Sequence, residues 1–396
     1  MFRDSTAIAV VQVASVLLAM LQGVIIARTF SLEAMGYFQL ILAFIAIGRL
    51  TALPGMDAVV VKGVLKDYDP IYYAVLKRSM IAAAIASLAV MGVGGIILFL
   101  YPANKMGLVL LVAGFFLPVA GMEKYESFFQ GKRDFILSRK LALLSSLGQL
   151  LMVGLAALVF KNLMFVLAAL FVNRVATNAL CLHILQRKIV RQPVDPAFEN
   201  ELLVQGWRMS GLSVFNLIVA QIDRLILGVL DVKLLALYHI GTVLPKRIKD
   251  NVKNLLVVPT THWSKLSKEE HLAKVRRHML GLIAFGVLLV LAIWFASPWL
   301  IPLLYGEPYR QSVWYAQIFA LSIPALFLAN MIEMININQD NGVYYQKTLV
   351  IKQVIYLAAL ALLVPRYGVM GIIGSILLRD YLNLSMQYIY LRRNSG

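Results

Sequence analysis

Lys246, Lys249 and Lys253 recur at i, i+3 and i+7 inside an otherwise apolar stretch, about 234–258. On a helix this spacing stacks three ammonium groups along one face. A cation at the centre of a membrane helix costs about 2.5–3.5 kcal/mol on insertion scales, so lipid cannot be the solvent of that face. It must meet water, other protein groups or an anion. Asp250, four residues after Lys246, neutralises only part of the stripe. Arg49, Arg174 and Arg224 lie in other apolar stretches. Together the six form a cationic set suited to a phosphate-bearing ligand, held by charge-assisted hydrogen bonds. Two blander readings stay open: an ion-paired packing network, or a short helix whose lysines belong to a loop.

The acids in apolar stretches are Asp57, Asp223, Glu333 and Asp380. Intramembrane carboxylates relay protons or bind sodium. Glu333 has no basic neighbour in its own helix, so Glu333, with Asp223, is the candidate ion-coupling group; a partner such as Lys246 on another helix is the alternative. No catalytic residues are assigned. The chain has no G-x-x-x-x-G-K-[ST] phosphate loop and no H-E-x-x-H. Asp67-Tyr68-Asp69 matches a metal- and sugar-phosphate-binding Asp-x-Asp, but it precedes Pro70 in a short basic connection and is expected as a solvated turn. The single cysteine, Cys181, excludes an intrachain disulfide and a cysteine metal cage. No metal and no cofactor are expected.

These residues need helices to carry them. Of 396 residues, 60% are hydrophobic and 14% charged, against about half apolar and a quarter charged in soluble domains. The expectation is an all-α polytopic membrane protein with about 12 transmembrane helices in two six-helix lobes around a central cavity. Candidate spans fall at about 6–28, 36–61, 79–101, 106–123, 138–160 and 163–185 in the first half. In the second they fall at about 207–230, 234–258, 276–297, 312–335, 347–365 and 369–391. The first run reaches Ala27, longer than a signal core, and is expected as a retained span. The domains are 1–186, an N-terminal lobe; 187–206, a cytoplasmic linker; and 207–396, a C-terminal lobe.

The 37 Lys and Arg outnumber 20 Asp and Glu, for a net charge of +17. In a soluble protein that surplus points to nucleic acid. Here the basic residues gather in alternate connections, and the opposite ones carry only Arg28, Lys105, Lys161, Lys233, Arg310 and Arg366. Both termini are therefore expected in the cytoplasm, with no nucleic-acid partner. Pro54 and Pro245, and Pro118 and Pro324, interrupt corresponding spans of the two halves, as in transporters built from repeats. Gly107, Gly114 and Gly121 recur every seven residues in the fourth span and are read as a packing face.

Four short motifs in order carry a resemblance. They are Ile26-Ala27-Arg28 with Glu33-Ala34-Met35-Gly36-Tyr37, and Asp223-Arg224-Leu225-Ile226-Leu227-Gly228 with Leu237-Tyr238. Pro302-Leu303-Leu304-Tyr305-Gly306-Glu307-Pro308-Tyr309 and Tyr367-Gly368-Val369-Met370-Gly371 complete the series. With them, nearly the whole chain resembles the polysaccharide transporter family, which includes the O-antigen flippases. That family lies in the multidrug/oligosaccharidyl-lipid/polysaccharide exporter superfamily. The resemblance implies a flippase, not an enzyme, in the bacterial inner membrane. It would move an undecaprenyl-diphosphate-linked oligosaccharide, for lipopolysaccharide or another surface polymer, from inner to outer leaflet by alternating access. It further implies an ion gradient (H+ or Na+) as the driving force, surrounding membrane lipids and a downstream polysaccharide polymerase as partners. The alternatives are a cation-coupled drug exporter of the same superfamily, which would want an acidic, aromatic cavity, and a membrane glycosyltransferase or polymerase, which would want a larger external loop.

Overall fold

The structure is a computed structural model. It describes the backbone of residues 2–190, 192, 193, 195–263, 268–338 and 342–393. Within those, side chains are described from residue 11 onward, except 212, 250–269, 271, 272, 274–276, 334, 335–338, 342–347, 391 and 393. Among the described residues every regular element is helical.

Two compact units divide the chain, Met1–Val232 and Lys233–Gly396. The first holds α1 (Phe2–Thr29), α2 (Leu32–Gly48), a 3-10 turn (Arg49–Ala52), α3 (Gly55–Leu65), α4 (Ile71–Leu100) and α5 (Met106–Met122). It continues with α6 (Tyr125–Gly131), α7 (Phe135–Phe160), α8 (Leu163–Gln186), α9 (Pro196–Val219) and α10 (Ile222–Leu230). In this unit α4 packs on α5, α1 on α7, α7 on α8, and α3 on α9. Then come α11 (Val232–Trp263), α12 (Lys268–Tyr305), a 3-10 turn (Glu307–Tyr309) and α13 (Ser312–Ala320). The chain closes with α14 (Ser322–Asn338), α15 (Gly342–Tyr367) and α16 (Val369–Arg393). In the second unit α16 packs on α14 and α15, and α12 on α13 and α14.

Each expected span is met by a helix, or by a longer helix and a short one before or after it. Among the described residues ten are long and apolar enough to cross a membrane. The two outside that ten, α11 and α16, carry Lys246 and Lys249, and Arg379 and Asp380. Large apolar side chains such as Leu88, Phe99 and Leu155 stand exposed on the outer faces of α4 and α7, which is the surface a bilayer covers.

Local chemistry sets the helix ends. Ser31, Asp134, Asn162 and Asp195 each accept backbone N–H bonds at a helix start, filling donors that a first turn leaves open. Gly368 takes φ 54° between α15 and α16, where a Cβ would be strained. Asp134 also pairs with Lys188, tying the start of α7 to the end of α8.

Several expectations need correction. The span 36–61 is broken: Leu53 adopts φ 56° and Pro54 follows. Proline removes the next donor and stops the helix. Pro245, its expected counterpart, sits inside the continuous α11. The span 207–230 begins earlier, at Pro196, and breaks at Ala220–Gln221 without a proline. Asp69 is no solvated residue: it is 0% exposed, paired with Lys132 at 2.9 Å, and accepts the Val190 N–H at 3.0 Å. It anchors the end of α8 because the connection folds back over it. The glycine heptad does pack: a Cβ on Gly107, Gly114 or Gly121 would meet α4 within about 3 Å.

A close approach in the first unit is α3 on α9. A Cβ at Gly55 would lie 2.2 Å from the Ser210 nitrogen, and the Gly55 N–H donates to Ser210 Oγ at 3.0 Å. Gly55→Ala is expected to cost about 1–3 kcal/mol by overpacking. Gly92→Ala, with nothing within 4 Å of its Cβ, is expected to be neutral or slightly stabilising. Thermal melts of the detergent-solubilised variants compare them; equal midpoints would refute the close packing.

The Lys188 ammonium, first, and the Leu137 N–H hold the Asp134 carboxyl below its ordinary range. A depressed carboxylate contributes stability above its unfolded value and loses it as pH falls through its folded value. Lys188→Met should therefore cost under ~1 kcal/mol at neutral pH, because the pair is partly exposed. That difference should close in acid, and a deficit independent of pH would show that the lysine acts by packing alone.

Candidate functional site

The breaks in the first unit gather its ions. Arg49 opens the 3-10 turn after α2, and Glu123 and Lys124 occupy the break between α5 and α6. Arg174 projects from the middle of α8. The Arg49 guanidinium donates to Glu123 Oε2, and Arg174 Nη1 lies 3.7 Å from Glu123 Oε1. Two guanidiniums thus flank one carboxylate. Arg174 Nη1 is buried and makes no hydrogen bond; its guanidinium rests over the Phe116 ring at 5.8 Å. Beside them Lys124, 2% exposed, donates to Asp57 Oδ1 at 2.8 Å and to the Leu53 carbonyl at 3.3 Å. A backbone carbonyl beside the helix break thereby gains a charged donor. Three cations meet two carboxylates, and the cluster stays positive.

The second unit has its own cluster. Lys249 on α11, 8% exposed, donates to Asp380 Oδ2 at 2.8 Å and Ser322 Oγ at 3.0 Å. Arg379 Nε and Nη2 donate to the other carboxylate oxygen at 3.0 and 2.9 Å. The lysine ammonium lies 5.0 Å over the Phe319 ring, and the Arg379 guanidinium 4.9 Å over Tyr356. Lys246 sits over Tyr238 and Phe319, at 5.0 and 5.6 Å. Carboxylate and ring faces solvate these cations where lipid cannot.

The six expected substrate-binding residues are thus distributed. Arg49 and Arg174 come together on Glu123. Lys246 and Lys249 share the Phe319 ring. Arg224 lies on α10 in the first unit, beside Asp223, whose Oδ1 accepts the Arg224 backbone N–H at 2.9 Å. The Lys253 side chain lies outside the described residues. Of the expected coupling acids, Asp223 is buried at the start of α10, and Glu333, half-buried on α14, has no ion-pair partner among the described residues. Among the described residues no group of three metal-ligating side chains converges.

Three members of these ion clusters escaped the sequence. Glu123 ends an apolar run and passed unremarked, Lys124 counted as a connection charge, and Asp380 was noted without its partner. The available signal was Arg49 itself, since a guanidinium in an apolar run requires a carboxylate somewhere.

The family model for polysaccharide biosynthesis proteins matches residues 25–314. The chain belongs to that family. No curated protein sequence matches it. Among solved structures, lipid II flippase MurJ in an inward closed conformation superposes with a TM-score of 0.73 at 11% identity, covering 97% of this chain and 87% of that one. An inward-facing multidrug resistance MATE family transporter of the MOP superfamily gives 0.64 at 14% identity, with 98% of both chains covered. The Vibrio cholerae MATE transporter VcmN in its bent form gives 0.57 at 15% identity, covering 99% and 95%. The fold is the one these transporters share.

The Lys249–Asp380 pair yields a separable prediction. Asp380→Asn leaves a buried ammonium poorly compensated and should cost about 3–5 kcal/mol. Combining it with Lys249→Met should cost less than the two single changes added together. Chemical or thermal unfolding of the four variants tests this, and strict additivity would mean that the two groups do not interact.

Proposed function

We propose that the protein is a flippase for an undecaprenyl-diphosphate-linked oligosaccharide, the repeat unit of O-antigen or another surface polysaccharide. It carries this substrate from inner to outer leaflet of the bacterial inner membrane by alternating access, with both termini cytoplasmic. The family match and the flippase among its structural neighbours support transport of such a lipid. The observation that carries the reading is the pair of guanidiniums, Arg49 and Arg174, on the single carboxylate of Glu123. A diphosphate offers a guanidinium fork paired oxygens as that carboxylate does, with more charge. It can take the guanidiniums from Glu123 by exchange, without leaving a cation bare in a low-dielectric site. Arg224, Lys246, Lys249 and Lys253 complete the cationic set. Glu333 and Asp223 are the proton- or sodium-coupling groups, and a polysaccharide polymerase receives the product.

A cation-coupled drug exporter is the second reading, favoured by the multidrug transporters that share the fold. The surplus of cations in the first cluster counts against it, because an organic cation would be repelled there.

The test is transfer of a prenyl-diphosphate oligosaccharide between leaflets of proteoliposomes, with and without a proton or sodium gradient. Gradient-stimulated transfer is expected. Arg49→Gln with Arg174→Gln should slow it about tenfold to a hundredfold, the worth of one or two charge-assisted hydrogen bonds. Unchanged transfer in that folded double variant would remove the guanidiniums from the substrate path. Gradient-driven efflux of cationic dyes, with no lipid transfer, would establish the drug exporter instead.

A further inference from the structure

On the outer face of the first unit, α5 and α8 part to leave a groove of about 470 Å³, flanked by α4. This lies within the roughly 300–1,000 Å³ of small-molecule sites. Its walls are almost wholly apolar and include Leu111, Phe115 and Phe116 on α5, and Ala168, Phe171 and Val172 on α8. Three rings form one aromatic surface: Phe171 lies 5.2 Å from Phe115 and 5.4 Å from Phe116. Phe115 and Val172 are more than half or half exposed, so the groove opens sideways, toward the hydrocarbon.

The groove does not end in more hydrocarbon. Phe171 and Arg174 are three residues apart and share a face of α8. The Phe116 ring that walls the groove is also the ring beneath the Arg174 guanidinium. That guanidinium has a buried Nη1 without a hydrogen bond and points on to Glu123 and Arg49. An apolar slot with an under-satisfied guanidinium against its Phe116 wall suits a long hydrocarbon carrying an anionic phosphate head. Aromatic walls suit a chain with methyl branches and double bonds, whose edges and faces pack against ring quadrupoles.

We infer that the α5–α8 groove seats the isoprenoid chain of a polyprenyl diphosphate, with Arg174, against the Phe116 wall, holding the diphosphate beside Arg49. This rests on the transport reading and adds where the lipid tail lies. The site is thus a side entrance: the tail stays in the bilayer edge while the head reaches the guanidiniums between α5 and α8.

The experiment uses the full chain in nanodiscs of phosphatidylethanolamine and phosphatidylglycerol, with a prenyl diphosphate probe carrying a diazirine in its chain. Cross-links are mapped by mass spectrometry. The expected result is labelling of α5 and α8 peptides that excess unlabelled undecaprenyl diphosphate suppresses about tenfold, and that equal excess phosphatidylglycerol does not. Ala168→Trp fills the slot from an exposed position and should abolish the label, whereas Leu151→Trp on the outer face of α7 should not. A Val172→Cys variant, blocked with a bulky maleimide after purification, makes the same test independent of folding, because Cys181 is buried. Arg174→Gln should weaken competition by the diphosphate about tenfold while leaving competition by the neutral polyprenol unchanged. Equal competition by phosphatidylglycerol, or labelling that survives both the filled and the blocked groove, overturns the inference.

The two readings fail differently. A competed groove label in a protein that transfers no oligosaccharide would sink the transport reading and keep the lipid site. Transfer with label spread evenly over the lipid face would do the reverse.

Discussion

Hydrocarbon solvates neither an ion nor an open backbone carbonyl, and the interior of this protein follows from that constraint. A continuous helix satisfies its own backbone; a broken one does not. In the first unit the breaks at Leu53–Pro54 and at Glu123–Lys124 meet, and the Leu53 carbonyl, which accepts the Met56 N–H at 2.9 Å, takes a second donor there. The first presents the Leu53 carbonyl and the second presents the Lys124 ammonium. Asp57, on the first turn of α3, then completes the lysine's shell. The ions are therefore part of how broken helices persist, as well as an opportunity for chemistry.

The two clusters solve the problem of buried cations in the same currency but with different strictness. Asp380 saturates both its oxygens, one with Lys249 and one with Arg379, and aromatic faces take up the outer sides of the cations. Glu123 is shared less evenly. Arg49 holds a direct hydrogen bond, while Arg174 stands at ion-pair distance with one nitrogen unbonded. A fully satisfied network fixes structure; a partly satisfied one leaves capacity for an anion. By that measure the first unit holds the more available binding group, although the lysine stripe of α11 is the more conspicuous in the sequence.

What the sequence made legible was what depends on composition. Apolar runs near the length of a bilayer crossing identified every long helix, and the glycine heptad of α5 marked its packing on α4. Breaks were visible only where proline announced them, as at Pro54. The break at Ala220–Gln221 has helix-compatible residues, and no local pattern records it. Pro245 shows the converse, a proline inside a helix that runs on, since neighbouring groups can satisfy the carbonyl it frees. The site was half legible for a related reason. A cation in an apolar run declares itself, but its partner comes from distant sequence: Glu123 is far from Arg49 along the chain, and Asp380 far from Lys249. Asp69 was misjudged because it sits in turn-like sequence, and only the folded connection buries it.

The partial satisfaction of Arg174 bears on how a flippase can release what it binds. A cationic site with no internal carboxylate would hold a diphosphate tightly in a low-dielectric setting and turn over slowly. Under the proposed transport, with Glu123 between Arg49 and Arg174, the anion and the carboxylate would compete for the same donors, so the diphosphate's gain is offset by the internal pairs it breaks. Departure of the substrate restores the internal pairs and is favoured by that restoration. Because Glu123 and Arg49 both sit at helix breaks, the exchange also acts on the segments that those breaks join, α5 with α6 and α2 with α3. Ion pairing, backbone satisfaction and helix geometry are then one coupled equilibrium, on which a diphosphate entering from the α5–α8 face would act directly.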